Sequence, residues 1–138
     1  DYAQARQWYE KAAAQGYSKA QYNLGVLYHQ GLGVMQDYTQ ARAWYEKATA
    51  QSHSNAQYNL GVLYNQGRGV IQDYAQARQW FEKAAAQGHS SAQYNLGVFY
   101  ANGDGVPQDL AQARQWFEKA AAQGDEAAAK ALQTLPKP

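Results

Sequence analysis

Three histidines, four tryptophans and four Arg–Glu pairs are the side chains of this chain with the most obvious chemical capacity. His53 and His89 are equivalent positions in successive copies of one pattern, and His29 stands apart. Ligands carried by adjacent packed helical units lie about 10 Å apart. A metal bound at about 2 Å per ligand cannot be shared across that gap. Arg6–Glu10, Arg42–Glu46, Arg78–Glu82 and Arg114–Glu118 have i,i+4 spacing. That spacing predicts surface ion pairs worth a few tenths of a kcal/mol rather than acid–base machinery. Trp8, Trp44, Trp80 and Trp116 each follow an apolar stripe and are expected to pack, although an aromatic platform for a sugar or cofactor uses the same residue type. G-L-G-V, G-R-G-V and G-D-G-V resemble phosphate cradles, but they follow a helical pattern and lack a lysine, so they are turns. No G-x-S-x-G, Ser-x-x-Lys or H-E-x-x-H stands in the chain. Catalytic residues, metal ligands and cofactors are therefore all expected to be none.

Composition narrows the partners. Twelve Lys+Arg against 11 Asp+Glu give a net charge of +1 over 138 residues, which excludes nucleic-acid binding by bulk charge. Cysteine is absent, so no disulfide framework or thiol nucleophile exists. Apolar runs are only a few residues long, and no membrane insertion is expected.

The elements that position these residues repeat. Asp1, Asp37, Asp73 and Asp109 open four copies spaced by 36 residues. Residues 1–36 match 37–72 at 27 positions and 73–108 at 28, and the fourth copy diverges after Gly124. Within a copy, Ala41, Trp44, Tyr45 and Ala48 follow i, i+3, i+4, i+7, an amphipathic helix. Asp37 with Gln40 reads as its N-terminal capping box, and Gly16, Gly88 and Gly124 as left-handed ends, with Ser52 in that place once. Call this the B helix. Ser54 with Gln57, repeated as Ser18–Gln21 and Ser90–Gln93, predicts a second capping box and an A helix ending at Gly67 and its equivalents. Val34, Val70 and Val106 are expected to plug the A–B turn into the core. The reading gives helices near 2–15, 18–30, 38–51, 54–66, 74–87, 90–102, 110–123 and 126–134. A lone hairpin cannot bury its stripe, so the hairpins must stack. The expected organisation is one repeat domain over 1–138. It comprises a B helix of an incomplete first repeat (1–17), full A–B hairpins at 18–53, 54–89 and 90–124, and a capping helix and tail at 125–138.

The run Ala20…Leu24-Gly25-x-x-Tyr28-x-x-Gly31-x-Gly33-Val34-x-x-Asp37-Tyr38-x-x-Ala41-x-x-Trp44-Tyr45-x-Lys47-Ala48 resembles the Sel-1-like repeat, a relative of the tetratricopeptide repeat, over essentially the whole chain. The resemblance implies an all-α, right-handed superhelical α-solenoid of stacked antiparallel hairpins. It also implies a non-catalytic protein-interaction adaptor, in a bacterial, periplasmic or secreted setting. Members with paired cysteines exist, and this chain departs from them.

A guest peptide or protein segment is expected in a concave groove lined by the non-core arc of the A helices. The lining residues are Lys19, Tyr22, Asn23, Val26, His29 and Gln30; Asn55, Tyr58, Asn59, Val62, Asn65 and Gln66; and Ser91, Tyr94, Asn95, Val98 and Asn102. Between the three A helices only Lys19/Asn55/Ser91, Leu27/Leu63/Phe99, His29/Asn65/Ala101 and Gln30/Gln66/Asn102 differ, and three of those four sites lie on that arc. Asn is a poor mid-helix residue. Its recurrence at 23, 59 and 95 suits either a ladder of amides gripping a peptide backbone or an inter-helix hydrogen bond. Tyr and Val on the arc either line the groove or pack against the next repeat. The ends differ: Lys130, Ala131 and Gln133 replace the Tyr, Asn and Gly of the motif before Pro136, as in a polar cap. At the other end, Ala5, Trp8, Tyr9 and Ala12 lack a preceding A helix: either upstream repeats are missing or that face mates with another molecule, and self-association through it is the expectation. A structural module with the repeats as spacer is the alternative function.

Overall fold

The computed structural model describes residues 1–137. Eight helices and no strand occur among them: α1 (Tyr2–Ala14), α2 (Ser18–Gln30), α3 (Tyr38–Thr49), α4 (Ser54–Gln66), α5 (Tyr74–Ala86), α6 (Ser90–Asn102), α7 (Leu110–Ala122) and α8 (Glu126–Thr134). Substantial helix–helix contact joins only neighbours in sequence, and is tightest within α2–α3, α4–α5 and α6–α7. This is an all-α solenoid of stacked antiparallel hairpins. Even-numbered α2, α4 and α6 are the A helices, and odd-numbered helices the B type.

The B helices begin as their sequence dictates. Asp37, Asp73 and Asp109 accept from the amides of Gln40, Gln76 and Gln112, each at 3.1 Å. They end at φ values of +89°, +87° and +93° at Gly16, Gly88 and Gly124. Ser52 adopts φ +60°, a left-handed conformation that strains a non-glycine residue. The helices stop one or two residues before the expected ends. Val34 and Val106 pack into the core behind their turns.

The A helices start differently from expectation. The cap is the residue before the serine: His53 Nδ1 accepts from the Ala56 amide at 3.3 Å, and His89 Nδ1 from Ala92 at 3.2 Å. Tyr17, at the same position, supplies no side-chain cap, and Asp125 caps α8 through Ala128 at 2.9 Å. The serines are already helical, because the amides of Gln57 and Gln93 close onto the carbonyls of His53 and His89. The glutamines are therefore free to turn inward. Gln21 and Gln93 are buried and donate to the carbonyls of Ala13 and Ala85 in the last turn of the preceding B helix, at 3.3 and 3.2 Å. Gln57 and Gln93 accept at 2.8 Å from Gln87 and Gln123, at the end of the next B helix.

One core cluster forms at each junction. Leu24, Leu60 and Leu96 are fully buried, as are Tyr45 and Phe81 of the following B helices. Gly25, Gly61 and Gly97 make this possible: a Cβ at any of them would fall 2.4–2.5 Å from a ring carbon of Tyr45, Phe81 or Phe117. Mid-helix glycine costs about 1 kcal/mol relative to alanine, offset here by burial of a whole ring.

Trp44, Trp80 and Trp116 pack half-buried against the core of the preceding junction. A lysine ammonium sits 4.4–4.6 Å above each ring, from Lys47, Lys83 and Lys119. Trp8 is 70% exposed, contrary to its expected packing, because no preceding junction lies beneath it. Three of the four expected ion pairs form, at 3.7, 2.7 and 2.5 Å. The fourth does not: Arg114 instead donates to the Pro136 carbonyl at 2.6 Å.

Candidate protein-binding wall

The non-core arc of α2, α4 and α6 carries all the residues expected to line a groove, and its side chains divide into two sets. Tyr22, Tyr58 and Tyr94 are half-buried against the next repeat. Tyr22 stacks on His53 at 4.8 Å and lies 5.9 Å from Tyr45. Tyr58 stacks on His89 at 4.7 Å and lies 5.6 Å from Phe81. Tyr94 lies 5.6 Å from Phe117. Val26, Val62 and Val98 pack against the same downstream clusters. A large part of the Tyr and Val surface is therefore spent on stacking hairpins.

Lys19, Gln30, Asn55, Gln66 and Asn102 form the other set and are exposed, while His29, Asn65 and Ser91 are half-buried. Asn23, Asn59 and Asn95 are also half-buried. Asn59 faces the hydroxyl of Tyr45, and Asn95 that of Tyr58. Burial raises both phenols above their ordinary value, and the facing amides moderate the rise. Asn59 and Asn95 thus each have a neighbouring hydroxyl within the fold and remain partly exposed.

The histidines knit the wall together, which sequence reasoning missed. His89 accepts from the Ala92 amide through Nδ1, so Nε2 carries the proton and donates to Asn55 Oδ1 at 2.9 Å. That pattern requires neutral imidazole. Burial lowers the pKa of both His53 and His89, and the Lys19 charge adds to the effect at His53. His29 shares a 3.1 Å hydrogen bond with the Tyr45 hydroxyl, and its pKa is lowered by burial and then by Arg68. The signal was available in the fourth copy, where Asp125, a strong cap former, occupies the histidine position.

At the N-terminal end, Trp8 is exposed and Ala5 half-buried, while Tyr9 and Ala12 pack against the first core cluster. Among the described residues, no helix is long and apolar enough to cross a membrane.

The Sel1 repeat profile matches residues 1–17, 18–53, 54–89 and 90–125, in register with the glycine-bearing hairpins. The chain belongs to the Sel1 repeat family. Repeats of this family generally mediate protein–protein interaction and are generally non-catalytic. The chain is similar to c5321 of uropathogenic Escherichia coli, a protective antigen with an SLR fold, at 47% identity and a TM-score of 0.94. That match covers 96% of this chain and 28% of the other. It is also similar to a Sel1 repeat protein from Oxalobacter formigenes, at 39% identity and a TM-score of 0.90, over 96% of this chain and 54% of that one. Helicobacter pylori cysteine rich protein B aligns at 29% identity and a TM-score of 0.71, covering 88% and 93% of the two chains. The 138 residues thus span about a quarter and about half of the first two relatives. Among curated proteins, none matches this chain.

Proposed function

We propose that this Sel1 repeat chain is a non-catalytic scaffold that holds a peptide or protein segment along the wall of α2, α4 and α6. One observation carries the reading. The Tyr and Val positions of the wall, which pack on the next repeat, are constant from repeat to repeat, and the buried Leu27/Leu63/Phe99 changes only conservatively. The positions that vary, 19/55/91, 29/65/101 and 30/66/102, are exposed or half-exposed on one side. Variation confined to a shared solvent-facing arc gives each repeat its own polar contacts, with Asn23, Asn59 and Asn95 as a common amide row for a guest backbone.

The test is a triple substitution on the middle repeat, Asn55→Ala, Asn59→Ala and Gln66→Ala, against a ligand selected from a peptide library on the parent protein. Affinity is expected to fall at least tenfold while the circular dichroism spectrum is retained. Removing the outward Arg78–Glu82 pair should leave affinity unchanged. Equal binding by the folded triple variant would overturn the wall as the site.

A further inference from the structure

Three positions at which the copies differ meet at one place in the structure. His29 stands where the later A helices have Asn65 and Ala101, Tyr45 where the later B helices have Phe81 and Phe117, and Arg68 where the other turns have Leu32 and Asp104. They come from α2, α3 and the turn after α4, and Tyr38 at the start of α3 joins them. His29 Nδ1 shares a 3.1 Å hydrogen bond with the Tyr45 hydroxyl. The Tyr38 ring lies 5.4 Å from the His29 ring, at 80° to it, and the Arg68 guanidinium carbon lies 5.2 Å from the centre of the same tyrosine ring. Arg68 is anchored there by donating to the Tyr38 hydroxyl at 3.1 Å. At the two later junctions the pairs Asn65–Phe81 and Ala101–Phe117 have no hydroxyl to share. Stacking does not require this polar constellation, because the other copies stack without it.

Its hydrogen bonds have a direction. Burial raises the Tyr45 phenol, and the Asn59 amide facing it moderates the rise, as a donor to the phenol oxygen does. The phenol's own proton then points to His29 Nδ1, and the imidazole carries its proton on Nε2. Among the described residues nothing accepts from Nε2, and that atom is not sealed from solvent. Arg68 is exposed, and among the described residues no carboxylate stands at ion-pair distance from it. A free hydrogen-bond donor and a positive charge thus border one aromatic ring. We propose that His29 and Arg68, beside the Tyr38 ring, form a subsite for a carboxylate, supplied by an aspartate or glutamate side chain of the segment held along the wall. The subsite rests on the wall being the binding surface, and it gives the guest a chemistry and a register. The next turn carries Asp104 in place of the arginine and repels a carboxylate, so the acidic residue belongs at the turn end of α2 and not one repeat on.

The probe is N-acetyl-glutamate N-methylamide. N-acetyl-glutamine N-methylamide is its neutral isostere, and N-acetyl-glutamine offers a terminal carboxylate without an acidic side chain. The reporter is the His29 imidazole in long-range ¹H–¹⁵N correlation spectra of the 138-residue protein, assigned with His29→Asn. The free protein should show the Nε2–H tautomer, and Tyr45→Phe, the residue of the later copies, should give a mixture of tautomers. The glutamate derivative should shift the His29 resonances saturably, and the neutral isostere should need at least a tenfold higher concentration. Arg68→Leu, the residue of the first turn, should weaken the response to the glutamate derivative at least tenfold, and Arg68→Lys should recover part of it. Equal titration by the neutral isostere, or an undiminished response in Arg68→Leu, would overturn the subsite. A stronger response to N-acetyl-glutamine would overturn the side-chain assignment in favour of a chain terminus. The library-selected ligand separates the subsite from the wall. Loss of its affinity in the Asn55/Asn59/Gln66 variant but not in Arg68→Leu would overturn the subsite and leave the wall standing. A glutamate response in the parent protein, with full affinity for that ligand in the wall variant, would overturn the wall alone.

Discussion

At the scale of single residues, the two capping histidines make the junctions sensitive to acid. Each is held neutral by an amide donating to Nδ1, and each is packed under a tyrosine ring of the preceding repeat. Their pKa values in the fold lie below the ordinary 6.5. Between the folded and unfolded pKa the unfolded chain binds more protons, so stability rises with pH through that window. The contribution is complete above about pH 6.5 and is lost as pH falls through the folded value. Thermal unfolding should therefore show a falling midpoint from pH 7.5 to 5. Replacing both residues, His53→Asp and His89→Asp, should flatten that slope, since aspartate is the cap that α8 already uses at Asp125. An undiminished slope in the double variant would remove the histidines as its cause. Caps of this kind are worth about 0.5–2 kcal/mol each.

Between elements, the A–B hairpin depends on how near two helices can come. Gly61 lets α4 settle on the Phe81 ring of α5, and a methyl group there would sit 2.5 Å from a ring carbon. Phe81 is fully buried and cannot swing aside without leaving a void. Gly61→Ala should destabilise the protein by about 1–3 kcal/mol in urea unfolding, although alanine is the better helix former. Pairing it with Phe81→Leu should recover part of that loss, so that the double variant is more stable than the two single effects would sum to. Strict additivity would mean that the glycine serves some other contact. The spacing of Gly25, Gly61 and Gly97 was visible in the sequence. Their reason was not, because the ring each one meets lies about twenty residues away and only the hairpin brings them together.

For the whole molecule, the substantial contacts run between successive helices, so stability is a chain of local couplings rather than one shared core. Damage at one end should stay there. Leu24 is fully buried in the first cluster, and Leu24→Ala should cost about 2–5 kcal/mol. Amide hydrogen exchange should then quicken across α1 and α2 while α6 and α7 keep most of their protection. Uniform acceleration along all eight helices would show that the array unfolds as a single unit.

The sequence by itself determined the period, the helices, the aspartate caps and the glycine ends, because those depend on side chains within one turn of one another. Helix type and stacking followed from the 36-residue copies and their apolar spacing. Only the tertiary structure decided how each A-helix face is shared. An A helix touches the B helix before it and the B helix after it, so two arcs are buried, and a single stripe in the sequence names one of them. Hence Tyr22 and Val26, at groove positions, also pack on the next repeat, and Trp44 reaches back to the previous one. The serines looked like caps because their type and spacing fit. The histidine one place earlier took the role because its ring could also rest on a tyrosine from the neighbouring hairpin, a contact that exists only once the repeats are stacked.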